Sequence, residues 1–229
     1  MVSLRTWWRC GPVILGHSWS RQPSPILECC VTHRHETPHH KHSALIDALL
    51  TLSMAVGRGS LARRVADLAD LTRDDRVVDI GCGPGVAVRV AARRCSYVTG
   101  VDPSPASMSL GRRLIALRGT HNAELVHGTA EALPLPDQSA SVVWAIRSVH
   151  HWNDHTRGLV EAFRVLAPRG RLLLVEQVVK PGAHGGMTDS EVADLESGVG
   201  AAGFSDVRRV TLARGRRTTN VVLASRETN

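Results

Sequence analysis

The chain has 229 residues, of which 43% are hydrophobic and 21% are charged, and this size and composition fit one globular domain with a tail rather than two full domains. No apolar run reaches the length of about 18 residues that a membrane-spanning helix needs. The net charge of +7 comes from scattered arginine pairs and not from a basic run with interleaved aromatic residues, which favours a solvated surface over a nucleic-acid partner.

Residues 1–42 differ in composition from the rest of the chain. They contain three of the five tryptophans, three of the five cysteines and a histidine cluster at residues 33–42. The cluster has no cysteine partner at metal-ligand spacing, and we expect a flexible tail with no metal site, followed by one domain over residues 43–229. Because the five cysteines show no regular spacing, a disulfide framework is not expected and a reducing cytoplasm is the simplest compartment.

Helical periodicity opens the predicted domain. Leucines recur on one face from about residue 43, and a second helix is predicted over residues 60–71 with Ser60 as its N-cap. From residue 76 onward short apolar strands alternate with helices. The predicted strands cover residues 76–80, 97–101, 124–127, 141–146, 171–178, 206–212 and 218–224, and the helices between them cover 86–94, 104–118, 156–166 and 189–202.

This alternation predicts an α/β fold with a Rossmann-like, seven-stranded, mostly parallel sheet and helices on both faces. The run Leu172–Val175 is apolar at every position, which is typical of a central parallel strand that is buried on both faces. Right-handed crossovers would then place a ligand at the carboxyl ends of the strands.

A glycine-rich loop connects the first strand of this series to the helix after it. Gly81, Gly83 and Gly85 have the spacing G-x-G-x-G, whereas a dinucleotide-binding loop needs G-x-G-x-x-G and here position 86 is valine. Pro84 also removes a backbone N–H that a pyrophosphate would use. The loop therefore favours a ligand without phosphates over a nicotinamide cofactor, and argues against an oxidoreductase.

Four segments resemble the class I S-adenosylmethionine-dependent methyltransferases. Residues 77–85 resemble motif I, which has the pattern acidic-x-G-x-G-x-G, and residues 98–104, 128–137 and 164–172 are similar in the same order to the ribose-binding turn, the adenine-side motif and the turn into the fifth strand. The resemblance covers roughly residues 58–225 and is greatest to the small-molecule and quinone methyltransferases. It implies methyl transfer from S-adenosylmethionine to a small-molecule acceptor by in-line displacement.

The resemblance also implies cofactor-binding roles. Asp79 would place negative charge near the ammonium and sulfonium groups, or would partner a helix N-terminus. Asp102 would accept from both ribose hydroxyls, or would cap a helix, and Met108 would pack near the adenine or simply in the core. The full set of expected cofactor-binding residues is Asp79, Gly81, Gly83, Gly85, Asp102, Met108, Thr129, Ala130 and Ile146.

Four residues in three segments depart from the family pattern. Thr129 replaces the usual aspartate, and a hydroxyl accepts a hydrogen bond more weakly than a carboxylate. Residues 140–141 are Ala-Ser where the family usually has Phe-Asp, and Arg169 replaces the first glycine of a Pro-Gly-Gly turn. These departures leave open a methyltransferase-like binding module without activity.

The residues after the fourth strand indicate the acceptor class. The chain has neither the Asn/Asp-Pro-Pro-Tyr/Phe motif of exocyclic-amine methyltransferases nor the Pro-Cys dipeptide that cytosine C5 methylation needs. His150 and His151 would face the acceptor and take a proton from an O–H or an activated C–H. Alternatively they are structural, since positioning alone can supply much of the acceleration. The net charge is the only feature that leaves an RNA methyltransferase open as an alternative. No feature predicts an oligomeric state.

Overall fold

The computed structural model describes residues 59–214 and 217–228. The predicted tail, residues 1–42, and the helix predicted from about residue 43 lie outside the described residues. Residues 59–68 are helical and are labelled α1. The other helices are α2 (Val86–Ala91), α3 (Pro105–Leu117), α4 (His155–Val165) and α5 (Asp189–Ala201). The strands are β1 (Arg76–Ile80), β2 (Tyr97–Asp102), β3 (Ala123–His127), β4 (Ala140–Ile146), β5 (Leu166–Gln177), β6 (Ser205–Arg214) and β7 (Arg217–Ser225).

The strands form one seven-stranded sheet in the order β3-β2-β1-β4-β5-β7-β6. The pairs among β1 to β5 are parallel, and β7 is inserted antiparallel between β5 and β6. This arrangement confirms the predicted mostly parallel, seven-stranded sheet. The chain order reverses at β1, which lies between β2 and β4, so the carboxyl ends of these strands form the crevice where such folds bind ligands.

Helices cover both faces of the sheet, as predicted. Alternate residues of the central strands belong to two separate hydrophobic clusters: Leu173 and Val175 pack on the side of α1, α2 and α3, whereas Leu172 and Leu174 pack on the side of α4 and α5. Burial on both faces explains why residues 172–175 of β5 are all apolar.

Strand β5 begins five residues earlier than predicted. Leu166 pairs with Ala140, and a bulge then separates this pair from the next, Val142 with Arg171. Within the bulged segment Arg169 has a φ of 63°, a left-handed conformation that glycine adopts without strain. This conformation explains why the family usually has glycine at this position.

Candidate active site

A cavity of about 370 Å³ opens at the carboxyl ends of β1, β2 and β4. It is lined by five of the residues expected to bind the cofactor and by the segment that follows β4. Its lining comprises Ile80, Gly81, Gly83, Val101, Asp102, Pro103, Gly128, Thr129, Ala130, Glu131, Arg147, Ser148, His151, Trp152 and Asn153. We refer to it as the glycine-loop cavity.

The glycines of the loop serve different purposes. A Cβ on Gly81 would lie 2.4 Å from Cβ of Ser148, so glycine is needed there for the segment after β4 to pack against the end of β1. A Cβ on Gly83 would meet nothing within 4 Å, which leaves the backbone at Gly83 open to the cavity. Gly85 caps the N-terminus of α2 with a φ of 71° and does not line this cavity.

Asp102 connects the glycine loop to the end of β2. Its Oδ2 accepts a hydrogen bond of 2.7 Å from the backbone N–H of Gly83, and its Oδ1 accepts one of 2.9 Å from the N–H of Ser104. Because each carboxylate oxygen has two acceptor positions, both oxygens can still accept from a pair of ribose hydroxyls. Asp102 therefore has a structural role in addition to the binding role that the sequence predicts.

Asp79 lies beneath the loop and is almost completely buried, with 2% of its surface exposed. It borders a second, small cavity together with Gly81 and Ile146. Burial, and then the negative charge of Asp102, raises the pKa of Asp79 to about 8. Its Oδ2 has no hydrogen-bond partner, and a buried acceptor of this kind calls for a donor. The ammonium group of S-adenosylmethionine would supply one, so the residues present fit this cofactor.

Other expected cofactor residues divide between the cavities and the core. Thr129 and Ala130 line the glycine-loop cavity, and Ile146 borders the small cavity. Met108 does not line the glycine-loop cavity: it is 1% exposed and belongs to the core cluster on the α1–α3 side. The structure therefore gives Met108 the packing position that the sequence had left as its alternative.

A larger cavity of about 460 Å³ adjoins the other side of the segment after β4. Four histidines line it together with apolar side chains of α4 and α5. The complete lining is His150, His151, His155, Thr156, Leu159, Ala183, His184, Gly185, Gly186, Met187, Glu191, Asp194, Leu195 and Gly198. We refer to it as the histidine cavity. His151 lines both this cavity and the glycine-loop cavity.

His150 is held by a buried carboxylate. Its Nδ1 lies 2.8 Å from Oε2 of Glu176, whose side chain is 1% exposed, and Oε1 of Glu176 accepts from the backbone N–H of Val149 at 2.8 Å. A carboxylate at Nδ1 fixes the tautomer that carries the proton there, which leaves Nε2 to accept a proton. The ring of His151 lies 4.0 Å from that of His150, centroid to centroid.

Glu176 was not among the residues predicted from the sequence. One sequence feature could have identified it. Glu176 is a single charged residue directly after the apolar run Leu172–Val175, at the carboxyl end of a central parallel strand. Because Ile146 pairs with Val175, Glu176 lies beside the segment that begins at Arg147. A carboxylate is rarely buried without a partner, and folds of this class bind ligands at the carboxyl ends of their strands, so Glu176 is a candidate functional residue.

In residues 59–214 and 217–228, no cluster of three or more His, Cys, Asp or Glu side chains is arranged to hold a metal ion. Over the same ranges, no helix has the length and apolar surface needed to cross a membrane.

Comparison with known proteins agrees with this arrangement. A family model described as a methyltransferase domain matches residues 78–174. The chain is 36% identical over 162 residues to a 27-O-demethylrifamycin SV methyltransferase of Amycolatopsis mediterranei, covering 69% of this chain and 58% of the relative. It is 32% identical over 126 residues to a demethylmenaquinone methyltransferase of Thermus thermophilus, covering 54% and 57%. The chain thus spans less than two thirds of both relatives.

A solved structure of a SAM-dependent methyltransferase from Aquifex aeolicus matches with a TM-score of 0.60 at 18% identity, over 72% of this chain and 88% of that one. At this identity the match concerns the fold alone. Together with the domain match and the four motifs, it confirms the resemblance: residues 78–174 form a methyltransferase domain, and the fold is that of the S-adenosylmethionine-dependent methyltransferases.

Proposed function

We propose that the protein transfers a methyl group from S-adenosylmethionine to a hydroxyl oxygen of a small-molecule acceptor. The observation that carries this proposal is the pair of His150 and buried Glu176 at the wall of the histidine cavity, which adjoins the glycine-loop cavity at His151. The acceptor would occupy the histidine cavity and the cofactor would occupy the glycine-loop cavity.

The residues of the chain divide the work between binding and proton transfer. Asp102 would accept from the ribose hydroxyls, and Asp79 would accept from the ammonium group. Nε2 of His150 would accept the proton of the acceptor hydroxyl, while Glu176 orients the ring and stabilises its positive charge. When bound, the cofactor supplies an activated methyl group, so alignment between the two cavities would provide most of the remaining acceleration.

The relatives support a small acceptor. The name of the Amycolatopsis relative refers to an O-demethylated substrate, and that of the Thermus relative refers to demethylmenaquinone. The histidine cavity, with a volume of about 460 Å³, is of the size that small-molecule sites have. Cys82 and Cys95 are buried free thiols, which fits the predicted reducing cytoplasm.

The test is methyl transfer from labelled S-adenosylmethionine to a metabolite extract. H150Q should keep its affinity for S-adenosylhomocysteine and lose roughly 10²- to 10⁴-fold in rate. E176Q should also keep that affinity and lose rate through misorientation of His150. H121Q, which replaces an exposed histidine outside both cavities, is the matched control and should behave like the parent.

The outcomes separate the competing functions. Binding of S-adenosylhomocysteine without labelled product in any extract fraction would favour the binding module without activity. Label in an RNA fraction, with salt-sensitive RNA retention, would favour an RNA methyltransferase. If H150Q and E176Q turn over like the parent, His150 is structural, and either His151 or positioning alone carries the mechanism.

A further inference from the structure

Arg147 has an uncommon backbone conformation at the centre of the site. It directly follows β4 and has a φ of 58°, which few residues other than glycine adopt. Its backbone N–H donates a 2.7 Å hydrogen bond to the carbonyl of Val175, so the neighbouring strand fixes it. Such strained positions are frequent at ligand sites, and Arg147 lines the glycine-loop cavity.

The guanidinium of Arg147 is incompletely satisfied. Its Nε is buried and has no hydrogen-bond partner, and its Nη2 makes one long contact, 3.4 Å, to the carbonyl of Gly185. The ion pairs found among the described residues involve other cations, namely Arg94, His150, Arg164, Arg171 and Arg209. A partly buried guanidinium without a counter-charge has lost hydration that an anion would replace.

The side chain also lies between the two cavities. Arg147 lines the glycine-loop cavity, and Gly185, which its guanidinium contacts, lines the histidine cavity. The histidine cavity is also lined by Glu191 and Asp194 of α5, whose carboxylates are negatively charged. An anionic group of an acceptor would therefore be repelled from the α5 side and attracted to the Arg147 side.

We propose that Arg147 binds a carboxylate of the acceptor, so that the acceptor is a small hydroxy acid. This inference rests on the proposed function and specifies its substrate class. A guanidinium presents two parallel N–H groups to a carboxylate, and pairing at the junction of the cavities would hold the acceptor in one orientation. The hydroxyl would then lie between Nε2 of His150 and the transferred methyl group. Arg147 is thus a specificity-determining residue, distinct from the base.

The test uses the full chain saturated with S-adenosylhomocysteine and observes binding of small probes by ligand-detected NMR. The probes are benzoate and 2-naphthoate, each compared with its primary amide. In the parent protein the acids should bind roughly 10-fold or more tightly than the amides, as expected for a charge-assisted pair. R147M should abolish this preference, and R147K should retain part of it.

R169M is the matched control, because Arg169 also has a left-handed φ, 63°, but is exposed and lines neither cavity. It should leave the preference unchanged. Equal binding of acids and amides by the parent, or an unchanged preference in R147M, would overturn the inference. The inference would also be overturned if R147M bound S-adenosylhomocysteine more weakly but bound methylthioadenosine, which lacks the carboxylate, normally. Arg147 would then hold the carboxylate of the cofactor. A parent protein that does not bind S-adenosylhomocysteine would instead refute the proposed function itself.

Discussion

Replacing Asp79 by asparagine should make the protein more stable than the parent at neutral pH, and increasingly so as the pH rises. Asp79 is buried and its Oδ2 is unpaired. Burial, followed by the charge of Asp102, raises its pKa from 3.8 to about 8. The folded protein without cofactor therefore holds a proton on Asp79 that the unfolded chain releases. The D79N variant is neutral in both states.

The sign and size of the effect follow from proton linkage. Between pH 4 and pH 8 the folded state binds one more proton at this site than the unfolded state, so the free energy of unfolding of the parent falls as the pH rises. The slope for one proton is about 1.4 kcal/mol per pH unit. Between pH 5 and pH 7 the parent should therefore lose about 3 kcal/mol relative to D79N.

Urea denaturation of both proteins at pH 5, 6 and 7 measures this difference, and the other titrating groups cancel because the two chains share them. D74N, which replaces an exposed carboxylate, should show no pH-dependent difference from the parent. Parallel pH profiles for D79N and the parent would refute the reasoning, because Asp79 would then be ionised or hydrated in the folded state. The added stability should be accompanied by weaker binding of S-adenosylhomocysteine, whose ammonium group would lose a negative partner.

Three further substitutions test the geometry of the site. D102A should weaken S-adenosylhomocysteine binding by roughly 1.5–3 kcal/mol in calorimetry, the range for hydrogen bonds to a charged group; unchanged affinity would exclude the ribose contact. G81A should lower the melting temperature because its Cβ would collide with Ser148. In G83A the added methyl group would meet no other residue, so the melting temperature should fall less, through the strain of alanine at a φ of 54°, and S-adenosylhomocysteine affinity should also fall. Saturating S-adenosylhomocysteine should raise the parent's melting temperature and NAD should not, and the reverse would contradict the assigned cofactor.

Local sequence signals were sufficient for the sheet. The alternation of apolar strands and amphipathic helices identified all seven strands because burial on both faces removes polar residues from the central strands. The spacing of Gly81 and Gly83 identified the loop because a left-handed backbone excludes most side chains. The start of β5 was missed because its first residues pair with Ala140 across a bulge, which leaves no periodic signal in the sequence.

The partners of the site were less predictable because they depend on strand register. Glu176 meets His150 only because β4 and β5 are parallel neighbours with Ile146 opposite Val175. Likewise, the left-handed conformation of Arg147 is imposed by neighbouring strands and has no local sequence signal. Met108 was ambiguous for a different reason. An apolar residue on a helix can contact a ligand or pack in the core, and Met108 packs in the core.

The contact between Gly81 and Ser148 links the two halves of the site. Ser148 donates a 2.7 Å hydrogen bond to the carbonyl of Ile80, and its Cβ occupies the space that a side chain at position 81 would need. The glycine loop and the turn that carries His150 are therefore packed as one unit. A substitution at Gly81 would displace the histidine as well as the glycine loop, so loss of activity in G81A would not by itself measure cofactor binding. A Cβ at Gly83 would meet no other residue, so a substitution there would strain the glycine loop without displacing the histidine.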